Sequence, residues 1–270
     1  MPLLSVLTPV HAAGAGFLAA ARESVLSQEI PTGWELEWVV QEDGPASGIV
    51  EHLTGDRRIH HAANGARIGA AATRNLALSR ASGALLQNLD ADDLLLPGSL
   101  ATLINVFDAS PSVHWAIGQA DDLMPDGSRK TFPPDLPFGI VPAGAVNAWA
   151  IKHGANWPIH CAGVMYRTAS VRALGGWAAV PFDEDLVMFA ALSQITAGWF
   201  DESHTWLYRQ HEGQLIRSDQ QRLWSHAGRR IALQRAKATG LAGITLRGTA
   251  VDDAPLVDVS APMKSAADLD

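Results

Sequence analysis

The chain has a single cysteine, Cys161, among its 270 residues. No intrachain disulfide is therefore possible, and the sequence does not call for an oxidising compartment. Charged residues make up only 18%, too few for a disordered chain, while a 47% apolar share is ample for a buried core. Positive charge is not in excess either. A net charge of −8 argues against nucleic acid as the main partner, because phosphate backbones need a basic surface. A nucleotide is still possible, since one metal and a few local cations can hold its phosphates. No stretch reaches the roughly 18 apolar residues of a membrane span. The N-terminus lacks the basic region and apolar run of a secretory signal. The expectation is a cytoplasmic protein with no integral membrane segment. Tryptophan, by contrast, is plentiful: there are nine, and Trp115, Trp149, Trp157, Trp177, Trp199 and Trp206 crowd the second half. They serve as core or as platforms for flat, partly apolar ligands.

A chain of this length makes one large α/β domain or two small ones. Strand and helix signals alternate through the first half. Residues 3–10, 35–40, 57–62 and 84–89 read as strands, and residues 17–28, 69–81 and 99–109 as helices. This alternation predicts βαβ units and a mostly parallel sheet. The second half is less regular. Strands are expected over 113–123, 160–166 and 199–209, with a hairpin turn at Pro125-Asp126-Gly127-Ser128. Helices are expected over 143–152, 170–174, 186–197 and 220–238. The proline-rich stretch 132–158 is a long irregular region of the kind compact domains keep for function. Periodicity fades after residue 240.

The polar clusters fall where chemistry is expected. In open α/β sheets ligands bind outside the carboxyl ends of the strands. Thr8-Pro9-Val10-His11 follows the first strand, Glu42-Asp43-Gly44 the second, and Asp90-Ala91-Asp92-Asp93 the fourth. Three carboxylates crowded at a strand end repel one another unless a cation offsets the repulsion. Residues i and i+2 of extended chain point the same way, so Asp90 and Asp92 can converge on one object. Mg²⁺ or Mn²⁺, which take oxygen ligands and are completed by phosphates, would suit them. A solvated acidic turn capping the next helix is the plain alternative.

These clusters, in this order, resemble the inverting glycosyltransferases of family 2, which have the GT-A fold. The resemblance covers roughly residues 3–212. It rests on Ser5-Val6-Leu7-Thr8-Pro9-Val10-His11, Glu42-Asp43-Gly44, Asn64-Gly65 with Ala72-Thr73-Arg74-Asn75, and Asp90-Ala91-Asp92-Asp93. Further along it includes Gly175-Gly176-Trp177, Glu184-Asp185-Leu186 and Tyr208-Arg209-Gln210-His211. It implies a Rossmann-like, mostly parallel sheet flanked by helices, with an antiparallel extension on the acceptor side. One domain over 1–240 would then divide into a nucleotide-sugar-binding half (1–110) and an acceptor-side half (111–240), followed by a tail over 241–270.

The same resemblance suggests roles. Thr8, Pro9, Val10 and His11 would form the nucleotide wall, although the family usually has Tyr or Phe followed by Asn where this chain has His11-Ala12. Asp43 would accept the imide N–H of uracil or thymine, with Glu42 as the preceding acid. Asp90, Ala91 and Asp92 match the Asp-x-Asp motif: Asp90 would face the ribose or the metal, and Asp92 would ligate it. Asp93 would steady the sugar or cap the following helix. Arg74 would lie close to the donor or its phosphates, and His211 near the diphosphate or on the metal. Asp185 would be the general base, with Glu184 orienting it or holding the acceptor. His160 and Trp157 precede a strand that lines the acceptor side in relatives.

The implied activity is metal-dependent transfer of a sugar from a UDP- or dTDP-linked donor to the hydroxyl of a soluble acceptor. Two other readings stand beside it: a sugar-1-phosphate nucleotidyltransferase, and a non-catalytic nucleotide-sugar-binding paralogue. The first should have a Gly-rich phosphate loop ending in Arg, which Gly14-Ala15-Gly16 imitates poorly.

Overall fold

Four strands of the first half pair in parallel, three of them largely buried on both faces and one half-buried at the sheet edge. They are β1 (Leu3–Val10), β2 (Glu35–Glu42), β3 (Ile59–Ala63) and β4 (Leu85–Asn88). The computed structural model describes residues 1–47, 49 and 53–246. Three parallel pairings join these strands: β1 with β2 from Leu3↔Glu35 to Val10↔Glu42, β2 with β3, and β1 with β4. Side chains alternate between two layers, as strand geometry requires. Leu4, Val6, Trp38 and Leu85 pack on α1 (Leu18–Leu26) and α3 (Ser99–Ala109). Leu7, Val39 and Leu86 face the other way, onto α2 (Ala70–Arg80) and elements of the second half. Parallel strands buried on both sides show near-continuous apolar runs, which is how they appear in the sequence.

Beyond β4 come β5 (Leu94–Leu95), β6 (Val113–Leu123), β7 (Arg129–Thr131), β8 (Gly139–Val141) and α4 (Ala145–Lys152). Then follow β9 (Met165–Arg167), α5 (Thr168–Ala173), α6 (Glu184–Ile195), β10 (Ala197–Arg209) and α7 (Asp219–Leu241). Among the described residues the sheet has ten strands, in the order β3-β2-β1-β4-β9-β6-β10-β5, with β7 on β6 and β8 on β10. Strand β9 runs antiparallel to both β4 and β6 and joins the two halves of the chain in one sheet. Strands β5, β7 and β8 add further antiparallel pairings.

The structure departs from the sequence reading in three places. The strand expected over 160–166 is a 3-10 turn, Cys161–Gly163, followed by the three-residue β9. Gly163 sits directly under the indole of Trp206, where a Cβ would collide, so close packing rather than strand propensity shapes this segment. The irregular region 132–158 contains the unforeseen β8, paired with β10. Helix α6 begins at Glu184, earlier than expected, and this places two acids in its first turn. Helix α7 continues to Leu241, and the remainder of the expected tail, 247–270, lies outside the described residues.

Candidate functional site

The carboxyl ends of β1, β2, β4 and β10 open onto a cleft of about 1030 Å³. The end of β1 contributes Pro9, Val10 and His11, and Asp43 follows β2. Asp90, Ala91 and Asp92 follow β4, and His211 follows β10. Arg74 enters from α2, and Glu184 and Asp185 from the first turn of α6. Thr8 and Glu42 stand apart from the cleft. Thr8 is fully buried, and its hydroxyl accepts from the Trp38 indole N–H at 2.9 Å. Glu42 is turned into the protein, its carboxylate 3.4 Å from His61 Nε2.

Arg74 lies at the centre. Only 5% exposed, it donates through Nη2 to Asp90 Oδ1 at 2.6 Å and through Nη1 to Glu184 Oε1. One planar guanidinium thereby ties the loop after β4 to the start of α6, a geometry a lysine could not reproduce. Burial works against its charge, but Asp90, Glu184 and Asp185 together hold its pKa above the ordinary value. The neighbouring residue sets the register. Asn75 donates to the Trp177 carbonyl at 2.8 Å and accepts from the Trp177 N–H at 2.9 Å. Gly176 makes this approach possible: its φ is +69°, and a Cβ there would strike the Asn75 amide.

The three acids after β4 do three different things. Asp90 is paired with Arg74. Asp92 Oδ2 lies 2.9 Å from His211 Nε2, and burial, with Asp90 beside it, raises its pKa while His211 opposes the rise. Asp93 turns inward, 1% exposed, and accepts from the Arg209 backbone N–H at 2.9 Å. It therefore anchors β10 and faces neither sugar nor solvent; burial and the two neighbouring acids hold its pKa well above the ordinary value. Phe17 and Arg209 complete this corner. The Phe17 ring lies 4.6 Å from that of His211, under the Arg209 guanidinium, whose Nε donates to the Asp92 carbonyl at 2.7 Å.

Asp92 and His211 are the donors that fit a divalent cation. Among the described residues no three His, Cys, Asp or Glu side chains converge as a metal-holding group. An ion here would rest on this two-residue face and complete its shell with phosphate oxygens and water, the usual habit of a hard cation on a nucleotide. Asp90, engaged by Arg74, would stand behind that shell.

Asp43 has a structural duty that its sequence context does not advertise. Its Oδ1 accepts from the Ile68 N–H at 2.7 Å, the Gly69 N–H at 3.2 Å and Asn64 Nδ2 at 3.3 Å. It thus anchors the loop that leads into α2, while its carboxylate also lines the cleft. His11 is exposed, and its Nδ1 accepts from the Ala13 N–H at 3.3 Å.

Asp185 sits in the first turn of α6, with the Leu186 N–H donating to its Oδ1 at 2.7 Å. Burial pushes its pKa up; Arg74 pulls it back and Asp90 adds to the rise. Glu184 is likewise raised by burial, against the pull of Arg74. A carboxylate displaced toward neutrality suits proton transfer. Cys161 is buried with its thiol pKa well above the ordinary value, first by burial and then by Asp185 and Asp183, which makes it a poor nucleophile.

The sequence reading missed several residues of the cleft: Phe17, Asp122, Phe132 and Trp224. Phe132 and Trp224 carried a signal, an aromatic residue within otherwise polar stretches. Phe17 carried none. His160 and Trp157 do line the cleft, and the His160 ring packs against Trp206 and Tyr208 with centroids 5.0 and 4.5 Å away.

A sheet of this order, with acids clustered at the carboxyl ends of its parallel strands, is the GT-A architecture. A crystal structure of S. aureus TarS 1–349 in complex with UDP-GlcNAc superposes with a TM-score of 0.63 at 18% identity, covering 81% of this chain and 61% of that one. The same protein in complex with UDP superposes with a TM-score of 0.61 at 17% identity, covering 78% of this chain and 61% of that one. An uncharacterized Mycobacterium tuberculosis (strain CDC 1551 / Oshkosh) protein, MT1568, is 35% identical over 131 residues, which are 45% of this chain and 39% of the relative. The chain thus spans about two fifths of that relative's length. Residues 5–134, just under half of the chain, match the family model described as Glycosyl transferase family 2.

Proposed function

We propose that this protein transfers a sugar from a nucleoside diphosphate donor, UDP-linked by preference, to an acceptor hydroxyl with inversion at the anomeric carbon. The observation that carries the reading is the Arg74 bridge. It joins Asp90, on the nucleotide side, to Glu184, which precedes the half-buried Asp185 on the acceptor side. The family 2 match and the likeness to a UDP-GlcNAc-bound fold support the donor class.

Asp185 takes the proton of the acceptor hydroxyl as its oxygen attacks the anomeric carbon on the face opposite the leaving diphosphate. Arg74 holds Glu184 and Asp90 in place, so that the base and the donor loop keep a fixed separation. Asp92 and His211 would hold Mg²⁺ or Mn²⁺, which when bound stabilises the charge developing on the diphosphate. Asp43 would accept the imide N–H of the base through Oδ2, which shares only the bifurcated Gly69 N–H, whereas Oδ1 also receives the Ile68 N–H and the Asn64 amide.

Two experiments test the donor side. Calorimetry should show UDP binding tighter in Mn²⁺ than in EDTA, with the difference lost in Asp92→Asn and the fold retained. Equal affinity in the two buffers would remove the metal from the reading. The second compares nucleotides. UDP and dTDP should bind about ten- to a hundredfold more tightly than CDP or ADP, the worth of one hydrogen bond to a charged group. In Asp43→Asn the side-chain oxygen can still receive the Ile68 N–H at the Oδ1 position, and the new NH₂ takes the Oδ2 position, giving up its share of the Gly69 N–H and offering the base a donor in place of an acceptor. The preference for UDP over CDP should therefore shrink. Equal binding of UDP and CDP by the natural protein would sink the role of Asp43. Pyrophosphate release from a nucleoside triphosphate and a sugar phosphate would make the enzyme a nucleotidyltransferase instead.

A further inference from the structure

The cleft is larger than a donor site and changes character along its length. Phe132, Pro133 and Pro134, just after β7, line it, and so do Ile216 and Trp224 from the segment entering α7 and from α7 itself. Phe132 is 45% exposed, Ile216 56% and Trp224 45%. Exposed apolar side chains scattered singly mean little. Gathered on the same cavity as Asp185, they form a wetted apolar wall beside the proposed base.

Charge narrows what that wall receives. Asp122, Asp135, Asp183 and Asp185 all line the cleft. Its described arginines are Arg67, Arg74 and Arg229. Arg67 lies in the loop that Asp43 anchors, on the nucleotide side. Arg74 is held by Asp90 and Glu184, and Arg229 donates to the Ala155 carbonyl and to Asn156 Oδ1. Among the described lining residues Arg229 is the acceptor-side arginine that keeps its charge, and it acts on Asp183, one of the four carboxylates there. An anionic acceptor would meet a net excess of like charge, four carboxylates against one arginine. A polyol would fare little better against this wall. Proline rings, Phe132 and Ile216 offer no side-chain hydrogen bond, so hydroxyls laid on them lose water without replacement.

We propose that the acceptor is a neutral, flat, largely apolar alcohol, of the aromatic or polycyclic aglycone class. Its ring body lies on Phe132, Ile216 and Trp224, with its hydroxyl toward Asp185. This rests on the transfer reading above. The hydroxyl oxygen forms the new bond to the anomeric carbon and its proton passes to Asp185. The bond from that carbon to the diphosphate breaks, and its electron pair leaves with the nucleotide.

The test is calorimetric, on the full chain saturated with UDP and Mn²⁺, using 4-methylumbelliferone, 4-methylumbelliferyl phosphate and methyl glucoside as probes. The flat phenol should bind at least tenfold more tightly than either of the others, and Trp224→Ala and Phe132→Ala should each weaken it several-fold. Equal or tighter binding of the phosphate or the glucoside would overturn the proposal, as would unchanged phenol affinity in both variants. UDP titration of the same samples separates the two readings. If UDP binds and the phenol does not, the acceptor class is wrong. If UDP fails to bind, the transfer reading itself falls.

Discussion

Asp185→Asn is expected to lower turnover by about 10²–10⁴-fold, the usual worth of a positioned general base, with UDP affinity nearly unchanged. Asparagine keeps the shape and the bond from the Leu186 N–H but cannot take a proton. The pH profile gives an independent check. Burial raises the folded pKa of Asp185, so the carboxyl is protonated and idle at low pH. Activity should rise with pH through an apparent pKa above the ordinary carboxylate range, and this limb should be missing from whatever activity the variant retains. Because Glu184 and Asp185 interact, that apparent value belongs to the pair. A variant with natural turnover would move the base to Glu184 or Asp183.

Arg74→Met should be the most damaging single change to the site's architecture. Removing one partner of a buried ion pair costs about 3–5 kcal/mol, because the other is left buried and uncompensated. Two carboxylates lose their partner here. Asp90 is 31% exposed and recovers part of its hydration, while Glu184, at 13%, does not. The loss should therefore sit near the lower end, about 3 kcal/mol, read as a drop in denaturant midpoint. The sign of its pH dependence follows. Without Arg74 the Glu184 pKa rises further, so the destabilisation is full where Glu184 must be charged and shrinks as pH falls and the group takes up a proton. Arg74→Lys should restore part of the stability but not the two-pronged hold. An Arg74→Met protein as stable as the natural one would mean that the bridge contributes nothing net.

The parallel core was legible because β1, β2 and β4 are largely buried on both faces and are followed by polar turn residues, while β3 is half-buried at the edge. Leu3–Val10 and Ser99–Ala109 needed no tertiary information to be seen. Strand β9 was not legible as it stands. Its three residues pair with Leu85–Gln87 and with Trp115–Ala116, and no local pattern announces partners that distant. Close packing at Gly163 decided its start.

The site divides in the same way. Period-two reasoning expected Asp90 and Asp92 to converge through extended chain, but the chain turns there; both line one cleft all the same, and no local pattern says that Arg74 engages one and His211 the other. Those choices depend on where α2 and the end of β10 fall in space. Asp93 differs from Asp92 by one position in sequence and wholly in surroundings, since the chain turns between them. Asp43 looked like a ligand contact or a turn residue. It is an anchor for backbone N–H groups some 25 residues away, an arrangement visible only once the 64–69 loop has folded back over it.

The insertion of β9 between β4 and β6 also has a mechanical side. The parts of the sheet on either side of β9 share a continuous ladder of backbone hydrogen bonds, so rotating one against the other would tear it. Unlike proteins that close two lobes around a ligand, this one shows, among the described residues, no hinge at the midline of its sheet. Admission and release must then be the work of the loops bordering the cleft, and the distance between the donor loop and Asp185 is a property of the scaffold, set before either substrate arrives.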